Sequence, residues 1–218
     1  MIDSKVLQSL FAPDAKDSGR FFGVVVGVVT NNQDPQKMHR VKVRFPWLSE
    51  GSTDESHWAR VATLMAGKDR GAYFLPEVDD EVLVAFEHGS VDHAYVIGAL
   101  WNGKDTPPDS NDDGNNNRRR ITSRSGHTVI LNDEQGSESI EVIDKTKRNK
   151  IVITSSDNKI TIEADGDIEI KSATGKLRMS AIGVEIKSQA GIDMQATANI
   201  DVKATAQVNV RGALVNLN

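Results

Sequence analysis

The residues best equipped for chemistry lie in one short acidic stretch. Asp109-Ser-Asn-Asp-Asp-Gly114 has the opening of a calcium-binding loop, D-x-N-x-D-G. Such a loop needs a bidentate carboxylate at its twelfth position, where Arg120 stands, so the stretch reads as polar linker. Asp79, Asp80 and Glu81 form a carboxylate cluster of the sort used in general acid–base work. They precede a strand in an exposed turn, however, where carboxylates stay ionised. His39, His57, His88, His93 and His127 lack the spacing of a metal-ligand set. Arg118, Arg119 and Arg120 are able to clamp a phosphate or a partner, but beside the acidic run they read as a solvated hinge. Cysteine is absent, which excludes thiolate chemistry. No P-loop, nucleophile elbow or dinucleotide fingerprint is present. The sequence predicts no catalytic residue, no cofactor and no metal site, and the chain is expected not to be an enzyme.

The elements that carry these residues divide the 218-residue chain in two. All eleven aromatic residues lie at or before Trp101 and all six prolines at or before Pro108. The remaining tract builds its apolar content from Ile, Val, Leu, Ala and Met alone. Aromatic rings are the bulk fillers of globular cores, so a long tract without them predicts thin, repeated aliphatic layers. The expected divisions are a lead segment 1–18 with a helical turn around Val6–Phe11, a barrel 19–107, a polar linker 108–120 and a repetitive β-tract 121–218. The net charge is −5 and the pI about 5.6. No uncharged apolar run reaches the ~18 residues of a membrane helix, and the N-terminus lacks a signal-peptide pattern. Synthesis and folding in a bacterial cytoplasm are expected.

Five short runs predict strands in the first half: Phe21–Thr30, Arg40–Phe45, Trp58–Leu64, Glu81–Glu87 and Ala94–Leu100. Their alternation of apolar and polar side chains, with no amphipathic helix between them, predicts a closed five-stranded barrel of OB type. Such barrels often hold oligonucleotides. Arg20 to Pro107 contains nine Lys/Arg against twelve Asp/Glu, the wrong sign for a single-strand groove. Phe22, Phe45, Phe86 and Trp101 are expected to pack in the core, and no nucleic acid is expected as a partner.

The second half counts in eights. Apolar pairs at i and i+2 recur as Ile160/Ile162, Ile168/Ile170, Leu177/Met179, Val184/Ile186, Ile192/Met194, Ile200/Val202, Val208/Val210 and Val215/Leu217. Small or turn-forming residues such as Ala164-Asp-Gly166 and Gln189-Ala-Gly191 fall between them. This period scatters apolar side chains around a helix but lines them along one face of a strand. Each unit therefore reads as a short strand plus a corner, and about eleven segments counted from Val129 would stack to roughly 50 Å. Two aliphatics per eight residues do not offset the entropy of ordering them. The balance favours a multi-chain assembly with a separate partner at the tip, although three octads per coil would also make a single-chain β-helix.

Several local motifs carry a family resemblance. They are Arg40-Val-Lys-Val-Arg-Phe-Pro-Trp-Leu48, Trp58-Ala-Arg-Val61, Phe74-Leu-Pro-Glu-Val78 with Asp80-Glu-Val-Leu-Val-Ala-Phe-Glu-His-Gly89, Val96-Ile-Gly98 with Trp101-Asn102, and Ser123-Arg-Ser-Gly-His-Thr128. In this order they resemble the central spike proteins of contractile injection machines, the phage baseplate assembly protein V type and the VgrG proteins of type VI secretion. The resemblance implies an all-β homotrimer. Its OB collar would dock on a hub protein, and its C-terminal tracts would intertwine into a triangular β-helix whose core is the sixteen paired residues above. It further implies a location at the baseplate of an assembled particle, a needle driven through a target envelope, a PAAR-type tip protein and effector cargo. Asp79 stands where the family usually has Gly, so Asp is expected to hold a left-handed turn. The alternatives are a β-solenoid enzyme acting on surface polysaccharide, which would need exposed aromatics and paired carboxylates in the tract, and an OB-fold nucleic-acid binder.

Overall fold

A computed structural model describes residues 20–48 and 55–216. The expected helical turn around Val6–Phe11 and the terminal core residue Leu217 lie outside them. The described elements are β-strands plus one 3-10 turn at Glu87–Gly89.

β1 (Val24–Asn31), β2 (Arg40–Arg44), β3 (Ala59–Val61), β6 (Glu81–Phe86) and β7 (Ala94–Leu100) close into a barrel in the order β1-β2-β3-β7-β6. Every pairing is antiparallel except β3 with β7, which closes the barrel in parallel. The five strands match the five expected runs. A small hairpin of β4 (Ala66–Gly67) and β5 (Arg70–Gly71) was not expected from the sequence, since two-residue strands leave no periodicity.

Alternation decides the core. Val29, Val41, Val43, Val82, Val84 and Val96 are fully buried, with Phe45 and Phe86 beside them. β-Branched side chains suit this pleated, enclosed surface. Gly27 faces the same interior because a Cβ there would strike Val43 and Phe45. Two of the four aromatics assigned to the core are not in it: Phe22 and Trp101 are each 68% exposed. Phe22 precedes the first residue of β1, and Phe21 instead turns inward against Trp47 and Phe86.

β8 (Arg118–Thr122), β9 (Thr128–Asn132), β10 (Ser139–Ile143), β11 (Lys150–Thr154) and β12 (Lys159–Glu163) form an antiparallel meander. The arginine run read as a hinge is therefore strand, with Arg118, Arg119 and Arg120 paired opposite Asn132, Leu131 and Ile130. The acidic stretch before it is tied down. Asp109 lies 3.6 Å from both Arg118 and Arg120, and Arg120 donates to the Pro108 carbonyl at 3.1 Å.

The barrel and meander belong to one compact unit that ends at Asp165, and residues from Gly166 onward form a second. Among the described residues of the second unit none lies in a strand, and none makes a backbone-to-backbone hydrogen bond.

Candidate functional site

The meander has two faces, and their burial is the reverse of what a lone sheet would adopt. On one face, register sets Ile121, Val129, Val142, Ile151 and Ile162 opposite one another in a row. A second row holds Leu131, Ile140, Ile153 and Ile160. All nine are exposed, from 38% at Ile153 to 68% at Ile160. The other face is largely polar yet better covered, with Thr128 at 6% and Ser139 at 9%. A contiguous aliphatic face in water marks an interaction surface. Its first row also floors a groove walled by Tyr73, Phe74 and Trp101 of the barrel unit.

The local chemistry explains why this sheet folds on itself. β9, β10 and β11 are joined by six-residue turns, long enough to reverse the chain. In the β10–β11 turn the Thr146 hydroxyl donates to Asp144 and holds its carboxyl below the usual range, with partial burial opposing and Asn149 adding to the effect. At the start of β9 the Lys145 amide donates to His127 Nδ1 at 3.2 Å. Arg124 reaches across to Glu77 in the barrel, 3.1 Å from each carboxylate oxygen.

The second unit continues the pattern without the pairing. Ile168, Ile170, Leu177, Met179, Val184, Ile186, Ile192, Met194, Ile200, Val202, Val208, Val210 and Val215 are all exposed, from 46% at Val215 to 70% at Ile170 and Val210. Of the fifteen expected core residues that are described, only Ile160 and Ile162 lie in a strand paired within the chain. The sequence reading named core residues from Ile160 onward and so left out the earlier members of the sheet face. Their signal was present: Val129/Leu131, Ile140/Val142 and Ile151/Ile153 show the same i, i+2 alternation at a spacing of eleven.

Among the described residues no three His, Asp or Glu side chains converge as a metal site, and no helix is long and apolar enough to cross a membrane. Asp79 is exposed with φ +75°, and the turn it holds is bonded to β1: its amide donates to the Val29 carbonyl at 2.9 Å, and the Val29 amide donates to the Asp80 carbonyl at 3.0 Å.

Comparison with known proteins agrees with the barrel. Residues 25–101 match the model of the Type VI secretion system/phage-baseplate injector OB domain. The chain is 35% identical over 98 residues to the type VI secretion system spike protein VgrG2a of Pseudomonas aeruginosa, covering 44% of this chain and 12% of that protein. It is 27% identical over 149 residues to VgrG1a of the same organism, covering 64% and 23%. The actin cross-linking toxin VgrG1 of Vibrio cholerae is 32% identical over 98 residues, covering 44% and 9%. The chain thus spans less than a quarter of the length of each of these relatives. The five barrel strands in their order and the match to the model agree that residues 25–101 form an OB domain of the type VI secretion system/phage-baseplate injector kind, and over this region the chain is similar to VgrG spike proteins.

Proposed function

We propose that this chain is a non-enzymatic, homotrimeric spike at the tip of a contractile injection apparatus. The barrel of residues 19–107 serves as a collar on a hub protein, residues 108–120 connect it, and residues 121–218 form a β-helix needle that enters the target envelope. Ile160, Ile162, Ile168, Ile170, Leu177, Met179, Val184, Ile186, Ile192, Met194, Ile200, Val202, Val208, Val210, Val215 and Leu217 line its interior. The spike stands at the baseplate of an assembled contractile particle, whether virion, tailocin or injection system, with a PAAR-type tip protein and effector cargo as further partners.

The observation that carries this reading is the uncovered aliphatic face of the meander, together with octads from Gly166 onward whose described residues pair with no strand of the chain. Water would melt such a tract; strands from other copies would pair its backbone and cover its Ile and Val side chains. The spike names of the relatives support the location. The tract holds no aromatic residue, which speaks against the polysaccharide-degrading alternative, and the barrel's acidic balance speaks against nucleic acid.

The test is to label contractile particles from a bacterium that encodes this chain, using an antibody raised against residues 166–216. Electron microscopy should find the label at the baseplate end of the tail. Label along the sheath, or on free protein alone, would overturn the reading.

A further inference from the structure

The polar side chains between the octad corners are not randomly charged. Asp167 and Glu169 flank Ile168 on one octad, and Lys176 and Arg178 flank Leu177 on the next. The octad of Lys176 and Arg178 carries no acid of its own between Lys176 and Ser180. Within the chain, Glu169 pairs with Lys171 and Glu185 with Lys187. Among the described residues, Asp167, Lys176 and Arg178 have no ion-pair or hydrogen-bonding partner, and all three are exposed.

Two ways of stacking the octads give these charges different neighbours. In a single-chain coil of three octads per turn, the rung beside any octad lies about 24 residues away. Arg178 would then lie next to Asp201, while Asp167 and Glu169 would find no basic rung. In an interleaved three-fold stack, each chain passes to the next face at every corner. A strand's ladder neighbours are then the preceding and following octads of other copies, about 4.8 Å away. Asp167 would face Lys176 and Glu169 would face Arg178, both opposite in sign and in the same register. A slip of one rung loses both pairs.

From this pattern, and resting on the trimeric reading above, we propose that Asp167 and Glu169 of one copy pair with Lys176 and Arg178 of its neighbour and fix the stagger at which three copies interleave. The aliphatic layers cannot do this, because every octad offers nearly the same pair and a slipped stack buries as much. Charge pairs that choose register among equivalent hydrophobic alignments are a known device of coiled assemblies. Exposed pairs add little stability each, and the benefit here lies in the penalty on misaligned stacks.

The test compares the wild type with Lys176→Glu/Arg178→Glu, and with the fourfold variant that adds Asp167→Lys/Glu169→Lys, by mass and thermal dissociation at low salt. The double variant should melt lower by roughly 5–10 °C, or yield mixed oligomers. The fourfold variant should recover the wild-type midpoint. Co-expressing Asp167→Lys/Glu169→Lys with Lys176→Glu/Arg178→Glu under two tags should enrich mixed oligomers above the statistical ratio. An unchanged double variant, no recovery in the fourfold variant, or a statistical ratio would each overturn the proposal. A monomeric wild type would instead overturn the trimeric reading beneath it.

Discussion

Asp79 occupies the left-handed region at φ +75°, a conformation that costs most L-residues roughly 1–2 kcal/mol. The turn needs it there because the Asp79 amide bonds to Val29 while the Glu77 carbonyl accepts from Asp80 at 3.2 Å. Asp79→Gly should therefore stabilise the barrel by about 0.5–1 kcal/mol, read as a raised midpoint in chemical denaturation; a loss would contradict the strain argument. Asp34 is the opposite case, a side chain that is nearly covered and fully partnered. Arg40 donates to it at 2.7 and 2.9 Å, and the amides of Gln36 and Met38 donate at 3.0 and 2.8 Å. The Arg40 hydrogen bond, opposed by desolvation, holds the Asp34 carboxyl well below the usual carboxylate range. A group depressed in the folded state contributes stability above its unfolded value of about 3.9 and loses it as pH falls through the folded value. Asp34→Asn should lower the thermal midpoint at pH 7 and lose less than the wild type on going to pH 3. Parallel pH profiles would show that the pair does not contribute.

At the scale of elements, legibility followed periodicity. The barrel strands were readable because a half-buried strand alternates, as Arg40–Arg44 does with Val41 and Val43 inward. The octads show the same alternation in the sequence, but among their described residues only Ile160 and Ile162 lie in a strand. Phe22 and Trp101 were misplaced because an aromatic at the end of an apolar run carries no mark of which face it takes; that depends on where the closed register begins and ends. The arginine run is solvated at Arg118 and Arg119, as expected, but it is strand where a hinge was expected: Arg120 pairs opposite Ile130 and donates to the Pro108 carbonyl, and three adjacent cations carry no strand periodicity of their own. The apolar face was half-legible. Its alternation from Val129 was visible, but alternation alone does not say whether a strand pairs within its own chain: β11 and β12 reverse across the four residues 155–158, while the described octads from Gly166 onward form no strand.

For the whole molecule, the aliphatic side chains of the meander face and of the described octads stand exposed, and among the described residues no strand of the chain covers them. In the proposed trimer, other copies would supply the strand partners of this tract, so its folding and assembly would be one event. Ladders between copies would leave no open lateral edge. The proposed trimer rests on the number of chains in the assembled protein. The most direct measurement is the molar mass of the purified chain by light scattering at micromolar concentration. A value near three times 23.8 kDa is expected; a single-copy mass would contradict the account.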